Sequence, residues 1–249
     1  MGAKGTSLDT LWDSAPAAGR AFRADELAGV PDGARRYLAH AIAPGTGLAS
    51  AVWLRMHGEI KLRRWLPFTA EEVIRREGEM IWRARVRMRG LPISGADRFV
   101  GGAGSMSWKL LGVVPVMTAS GPDITRSAAG RVQAESVWLP SMLAGEDGSW
   151  TATDPSHLRA GVTAQGHRAE LTLTVDEAGR LLTLKLPRWG NPGGAAFHDV
   201  DFGAIAEAEG MFCGYTIPTR LRAGWYFGSE RFESEGEFFR VTIDDATFR

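Results

Sequence analysis

The sequence predicts a mainly β chain of the α+β class: a curved antiparallel sheet forming a barrel or half-barrel, with a central helix against its concave face and another helix near the amino terminus. Three observations carry this expectation. Between Glu79 and Arg89 the residues alternate, with Met80, Trp82, Ala84, Val86 and Met88 on one phase and Glu79, Ile81, Arg83, Arg85, Arg87 and Arg89 on the other. Successive side chains on a strand point to opposite faces, so this segment is a strand with one apolar and one basic side. Similar runs recur along the chain with short connections, and 31 glycines suit hairpins and tight corners. Only two segments have a clear helical period, so the strand–helix–strand order of a parallel sheet is missing.

Residues up to about Ala24 are small, polar and aperiodic and are expected to form a mobile tail, which leaves 25–249 as one domain. Met1, Gly2 and Thr6 fit a myristoylation pattern by letter, which in a Gly/Ala-rich leader reads as coincidence. After Pro31 and Asp32, the residues Ala34, Tyr37, Leu38, Ala41 and Ile42 fall on one face of a helix that Pro44 and Gly45 stop. Strands follow. Val52, Leu54, Met56, Ile60 and Leu62 alternate with Trp53, Arg55, His57, Glu59 and Lys61, and Gly58 on the apolar side marks a bend or bulge. Next come a strand near Glu71 to Glu77, the arginine strand, and runs at Arg98 to Gly101 and Ser105 to Leu111 joined by Gly101, Gly102 and Gly104 as a hairpin. The central helix begins near Asp123, whose carboxylate is placed to cap it, and ends before Pro140. Leu171, Leu173 and Val175 pair with Leu182, Leu184 and Leu186 across a turn at Asp176 to Gly179. Runs at Tyr215 to Phe227 and Glu237 to Ile243 complete the sheet.

The balance of charge excludes some functions. Twenty-nine basic residues match twenty-nine acidic ones, so no overall field recruits nucleic acid or an anionic membrane, and the arginine row is read as a solvated face paired with acids such as Glu71, Glu72 and Glu77. No stretch approaches the ~20 apolar residues of a membrane span. Cys213 is the sole cysteine, which precludes an internal disulfide and is compatible with a cytoplasmic location. The five histidines lack metal-motif spacing, so neither a metal nor a cofactor is expected. His57 and Glu59 share one strand face, which is read as solvated. No nucleophile elbow, phosphate loop or dinucleotide fingerprint is present. Nine tryptophans are an excess that suggests an aromatic-lined interior or an interaction surface.

The central helix holds the most suggestive pattern. At 100° per residue, Ile124, Ala128, Val132, Ala134, Trp138 and Leu139 form an apolar arc, and Arg131 and Glu135 fall within it. A buried charge left alone costs about 3 to 5 kcal/mol, so the two must pair, meet partners on the sheet, or face a cavity. One reading makes Glu135 a candidate acid or base with Arg131 as partner or anion clamp. The other is a structural ion-pair network tying helix to sheet, reaching Arg83 or Arg85.

Several strings resemble an uncharacterised bacterial family of soluble or membrane-tethered domains of unknown function: RYLAH at Arg36 to His40, RWLPFTAEE at Arg64 to Glu72, WRARVRM at Trp82 to Met88, SMSWKLLGVVPVM at Ser105 to Met117 and ASGPDITRSAAGR at Ala119 to Arg131. PRWGNP at Pro187 to Pro192 and YTIPT at Tyr215 to Thr219 continue the likeness, which spans nearly everything after the leader. More distantly, a curved sheet with a plugging helix resembles the lipoprotein-carrier half-barrels, which hold acyl chains.

The function expected first is binding of a hydrophobic or lipid-like small molecule in an aromatic-lined cavity, with Arg131, Trp138, Trp82, Trp108, Arg83 and Arg85 as ligand-binding residues. The alternative is a cofactor-independent isomerase, cyclase or hydrolase in the same cavity, with Glu135 transferring protons. A third reading is an assembly partner whose tryptophans form an exposed patch.

Overall fold

The computed structural model describes residues 6–144, 149–194 and 196–249. Its centre is a single thirteen-stranded antiparallel sheet. Six strands form the amino-terminal half: β1 (Ala51–Lys61), β2 (Trp65–Arg75), β3 (Glu79–Met88), β4 (Leu91–Val100), β5 (Ala103–Leu110) and β6 (Val114–Ser120). Seven form the other half: β7 (Trp150–Ala152), β8 (His157–Ala164), β9 (His167–Val175), β10 (Leu181–Gly190), β11 (His198–Phe212), β12 (Tyr215–Trp225) and β13 (Glu237–Phe248). Each half is a meander of neighbours in chain order, and the halves join where β1 pairs with β13, from Val52 opposite Phe248 to Ile60 opposite Phe239. The sheet is curved but open, with β6 and β7 at its two edges, so it is a half-barrel.

Among the described residues three α-helices complete the fold: α1 (Leu8–Asp13), α2 (Asp32–Ala41) and α3 (Pro122–Glu135). The last leaves edge strand β6, packs against β4, β5, β8, β9 and β10, and continues through two 3₁₀ turns toward β7 at the opposite edge. Among the described residues it is the one α-helix that connects sheet strands. Its inward side meets the main core, which includes Leu54, Met80, Trp82 and Phe99 from the sheet and Val132 from the helix. The alternation in β3 behaves as the sequence predicts: Met80, Trp82, Ala84 and Val86 are buried while Arg83, Arg85 and Arg87 are exposed, and Arg83 pairs with Glu71 on β2.

Four local expectations change. The first five residues of the leader lie outside the described part, but the rest is not a loose tail. Ser7 accepts a hydrogen bond from the Thr10 amide and caps α1, whose Leu8 and Leu11 cover Val73 and Ile81 on the convex face. The cue is an i, i+3 apolar pair behind a serine, short enough to be lost among small residues. Asp123 does not cap α3. Gly121 occupies that position, Pro122 follows at the first helical turn, and the Asp123 carboxylate accepts a hydrogen bond from Trp189 Nε1 at 2.9 Å. A bulge near Leu182 turns that side chain outward, so Leu181, Leu184 and Leu186 are the buried set on β10. Finally, β2 begins at Trp65 rather than near Glu71.

Candidate functional site

The inward phase of β2 runs Leu66, Phe68, Ala70, Glu72 and Ile74, all buried, so a carboxylate stands in an otherwise apolar row. Glu72 is 0% exposed. Opposite it on β3 is Trp82, and opposite Trp82 on β4 is Asp97, which places two acids on either side of an indole in one row across the sheet. Arg131 descends from α3 onto this row. Its guanidinium carbon lies 4.9 Å above the Trp82 ring, Nη2 donates to Glu72 at 3.1 Å, Nη1 to Asp97 at 3.1 Å, and Nε to Glu135 one helical turn on at 2.6 Å. Trp108 Nε1 donates to the other Asp97 oxygen at 3.0 Å. A planar guanidinium, with its five donors spread over three nitrogens, suits such a three-acid cradle better than the single nitrogen of lysine.

The charges control one another. Burial, then the neighbouring Glu135, hold the Glu72 carboxyl well above its ordinary range, against the opposing pull of Arg131. Burial likewise raises Asp97, with Arg131 opposing. Oε2 of Glu72 and Oε2 of Glu135 are both buried without a hydrogen-bond partner. A proton on Glu72 turns one of these acceptors into a donor toward the other carboxylate, which satisfies both.

Arg188 is placed differently. It projects from the inward phase of β10 beyond Leu184 and Leu186, over the rings of Phe202 and Trp225 at 4.8 and 5.1 Å. Its Nε donates to the Ser127 carbonyl at 3.2 Å. Among the described residues no carboxylate lies within 4 Å of it. Burial and the adjacent Arg131 bring its pKa down to about 10. Gly130 on α3 makes room for it, since a Cβ there would stand 2.9 Å from Arg188 Cγ.

Between this cluster and the strands lies a mostly apolar cavity of about 180 Å³, whose wall includes Trp82, Phe202, Phe238 and Phe239 together with Arg131, Glu135 and Arg188. A smaller cavity of about 60 Å³ adjoins Arg131 and Glu135 on the other side and is walled by Trp138, Leu184 and Leu221.

Of the residues expected from sequence, Arg131, Glu135 and Trp82 meet at the larger cavity, and Trp138 lines the smaller one while donating Nε1 to the Pro218 carbonyl. Trp108 stands behind Trp82, at 5.7 Å between ring centroids, and serves Asp97 rather than the cavity. Arg83 and Arg85 are on the convex face, because their phase of β3 points away from Trp82, so they neither line the cavity nor pair with Arg131 and Glu135. Glu72, Asp97 and Arg188 were not anticipated as site residues. The signal for Glu72 and Arg188 was a charge on the apolar phase of its strand.

No helix among the described residues is long and apolar enough to cross a membrane, and no three or more of their His, Cys, Asp and Glu side chains are placed to hold a metal ion. Comparison with curated proteins gives no match. Two solved structures are similar at low identity. A domain described as an outer membrane lipoprotein-sorting protein, from Vibrio parahaemolyticus, is 10% identical with a TM-score of 0.43 and covers 80% of this chain and 86% of its own. A LolA superfamily protein from Nitrosomonas europaea is 9% identical with a TM-score of 0.47, over 87% of this chain and 92% of its own. A family model described as a family of unknown function, DUF6544, matches residues 20–234, and the chain belongs to that family.

Proposed function

We propose that the half-barrel binds a small, mostly apolar molecule with an acidic group, its body against Trp82, Phe202, Phe238 and Phe239 and its anion on Arg188. The observation that carries this is the contrast between two neighbouring arginines. Arg131 has a carboxylate on each of its three nitrogens, while Arg188 lines the same cavity with none. A guanidinium in an apolar wall with no carboxylate on its own nitrogens is a fitted receptor for a carboxylate or similar anion, and bidentate geometry then fixes orientation. The cavity is small beside the ~300–1,000 Å³ usual for drug-sized ligands, which favours a short chain or a single ring. The reading invokes no cofactor. It is compatible with a cytoplasmic setting, since Cys213 leaves no disulfide to maintain.

The test is calorimetric titration with octanoate against octanol and octanamide, on the native chain and on Arg188→Gln. The acid is expected to bind at least ~10-fold tighter than either neutral analogue, a difference Arg188→Gln removes. Equal affinities would exclude an anion receptor, and failure of all three to bind would exclude the cavity for chains of this size.

A second reading rests on the Glu72–Glu135 pair. A buried carboxyl whose proton is held by burial, beside Glu135 on the cavity wall, has the form of an acid–base device. Glu135→Gln separates the two, since turnover of a bound molecule would fall by at least ~100-fold whereas simple binding survives.

A further inference from the structure

Three consecutive hairpins of the amino-terminal half, β1–β2, β3–β4 and β5–β6, turn at the same border of the sheet, because antiparallel pairing puts every second turn on one side. The Leu111 amide donating to the Pro92 carbonyl at 2.9 Å ties the second to the third. Among the described residues, of the large apolar side chains that stand exposed, all but Leu182 and Met211 lie on these turns, their flanks and β6. Val113 at the tip is 71% exposed and Leu62 62%. The same stretches, 61–64, 87–91 and 109–117, carry Lys61, Arg63, Arg64, Arg87, Arg89 and Lys109 and contain no aspartate or glutamate. Among the described residues none of these six forms an ion pair. A chain with no net charge therefore concentrates cations and exposed apolar tips on these three turns, while the β12–β13 connection beside Lys61 carries Glu233 and Glu235, which are held by Arg222 and Arg231.

We propose that this border docks on the surface of an anionic lipid bilayer, with Leu62, Leu111, Val113 and Val116 entering the headgroup–acyl boundary and the six cations meeting lipid phosphates. Apolar tips among unpaired basic side chains are what an interfacial anchor needs, since either kind of contact alone holds weakly. Strand addition by another protein fits the same edge poorly. Pro115 removes an amide donor from β6, and the register shift opposite it between Trp108 and Lys109 breaks the regular edge ladder. Trp65 supports the assignment: it begins β2 at this border beneath Lys61 and Arg240, at 5.8 and 4.2 Å from its ring, as an interfacial indole would. The border joins the cavity wall, for Ile60 lines the cavity and Lys61 follows it. The inference stands independently of what the cavity holds.

The experiment is cosedimentation of the full chain with vesicles of phosphatidylcholine alone and of phosphatidylcholine with phosphatidylglycerol, at low and high salt. Binding is expected only to the anionic vesicles, with loss at high salt. It should weaken at least 10-fold in both Val113→Asp/Val116→Asp and Arg87→Glu/Arg89→Glu, with the far-ultraviolet circular dichroism of both variants unchanged. Absence of binding by the native chain would overturn the proposal, as would variants that bind equally well. A lipid-free self-association abolished by Val113→Asp/Val116→Asp would assign the border to a second copy instead.

Discussion

Glu72 shows how one residue can be fixed by its neighbours rather than by its own chemistry. Its carboxyl is buried beside Glu135, so the folded chain holds the Glu72 proton more tightly than the unfolded chain does. A carboxyl raised in this way stabilises the fold fully below its ordinary range, and that contribution disappears as pH rises through the folded-state value. The native melting temperature should therefore fall as pH is raised above the ordinary carboxylate range, through loss of this proton. Glu72→Gln, whose amide can accept from Arg131 and donate to Glu135 without titrating, should flatten the profile, so that the advantage of the native chain shrinks with pH. Scanning calorimetry over that rise in pH measures it, and parallel profiles would show that Glu72 does not hold the proton. Arg131 and Glu135 were legible in the sequence because the helical period set both in an apolar arc. Glu72 was not, because a strand begun at Glu71 hides Leu66, Phe68 and Ala70, the residues that reveal its phase.

At the scale of elements, α3 is held against the sheet by near contact of backbones. Gly104 on β5 donates its amide to Thr125 Oγ1 at 2.9 Å, and a Cβ there would come within 2.6 Å of Thr125 Cα and 2.7 Å of the Ile124 carbonyl oxygen. Backbone cannot rotate aside as a side chain can, so Gly104→Ala must lift the first turn of α3 and should cost about 1–3 kcal/mol in urea denaturation. Gly29→Ala, with nothing within 4 Å of its added methyl group, should change stability by less than about 0.5 kcal/mol. Equal effects would mean that the α3 contact is soft. The sequence revealed the strands whose inward residues are large, such as β1, β3, β9 and β13. It concealed β8, whose inward row of Leu158, Ala160, Val162 and Ala164 is mostly small, β11, where alanine and glutamate replace the usual β-branched residues, and edge strand β6, which is exposed along nearly its whole length.

For the whole molecule, the two meanders share one sheet across the β1–β13 seam and one principal core containing residues of both. We expect heat to unfold them together, with the loss of tryptophan near-ultraviolet signal and of far-ultraviolet signal coinciding in a single transition. Two separated transitions would show that each meander is stable without the other. The half-barrel form was anticipated from alternation and short connections, and the openness of the sheet follows from which strands pair, something periodicity does not encode. That openness has a mechanical side. The chain leaves the sheet at β6 and returns at β7 by way of α3, so the sheet resembles a bow and the helical segment its string. A guest that splays the limbs must draw on the string, and the string carries Arg131 and Glu135. Entry of a bulky guest would thus tug the guanidinium from Glu72 and Asp97, making the ion cluster a tension gauge for how far the bow is bent.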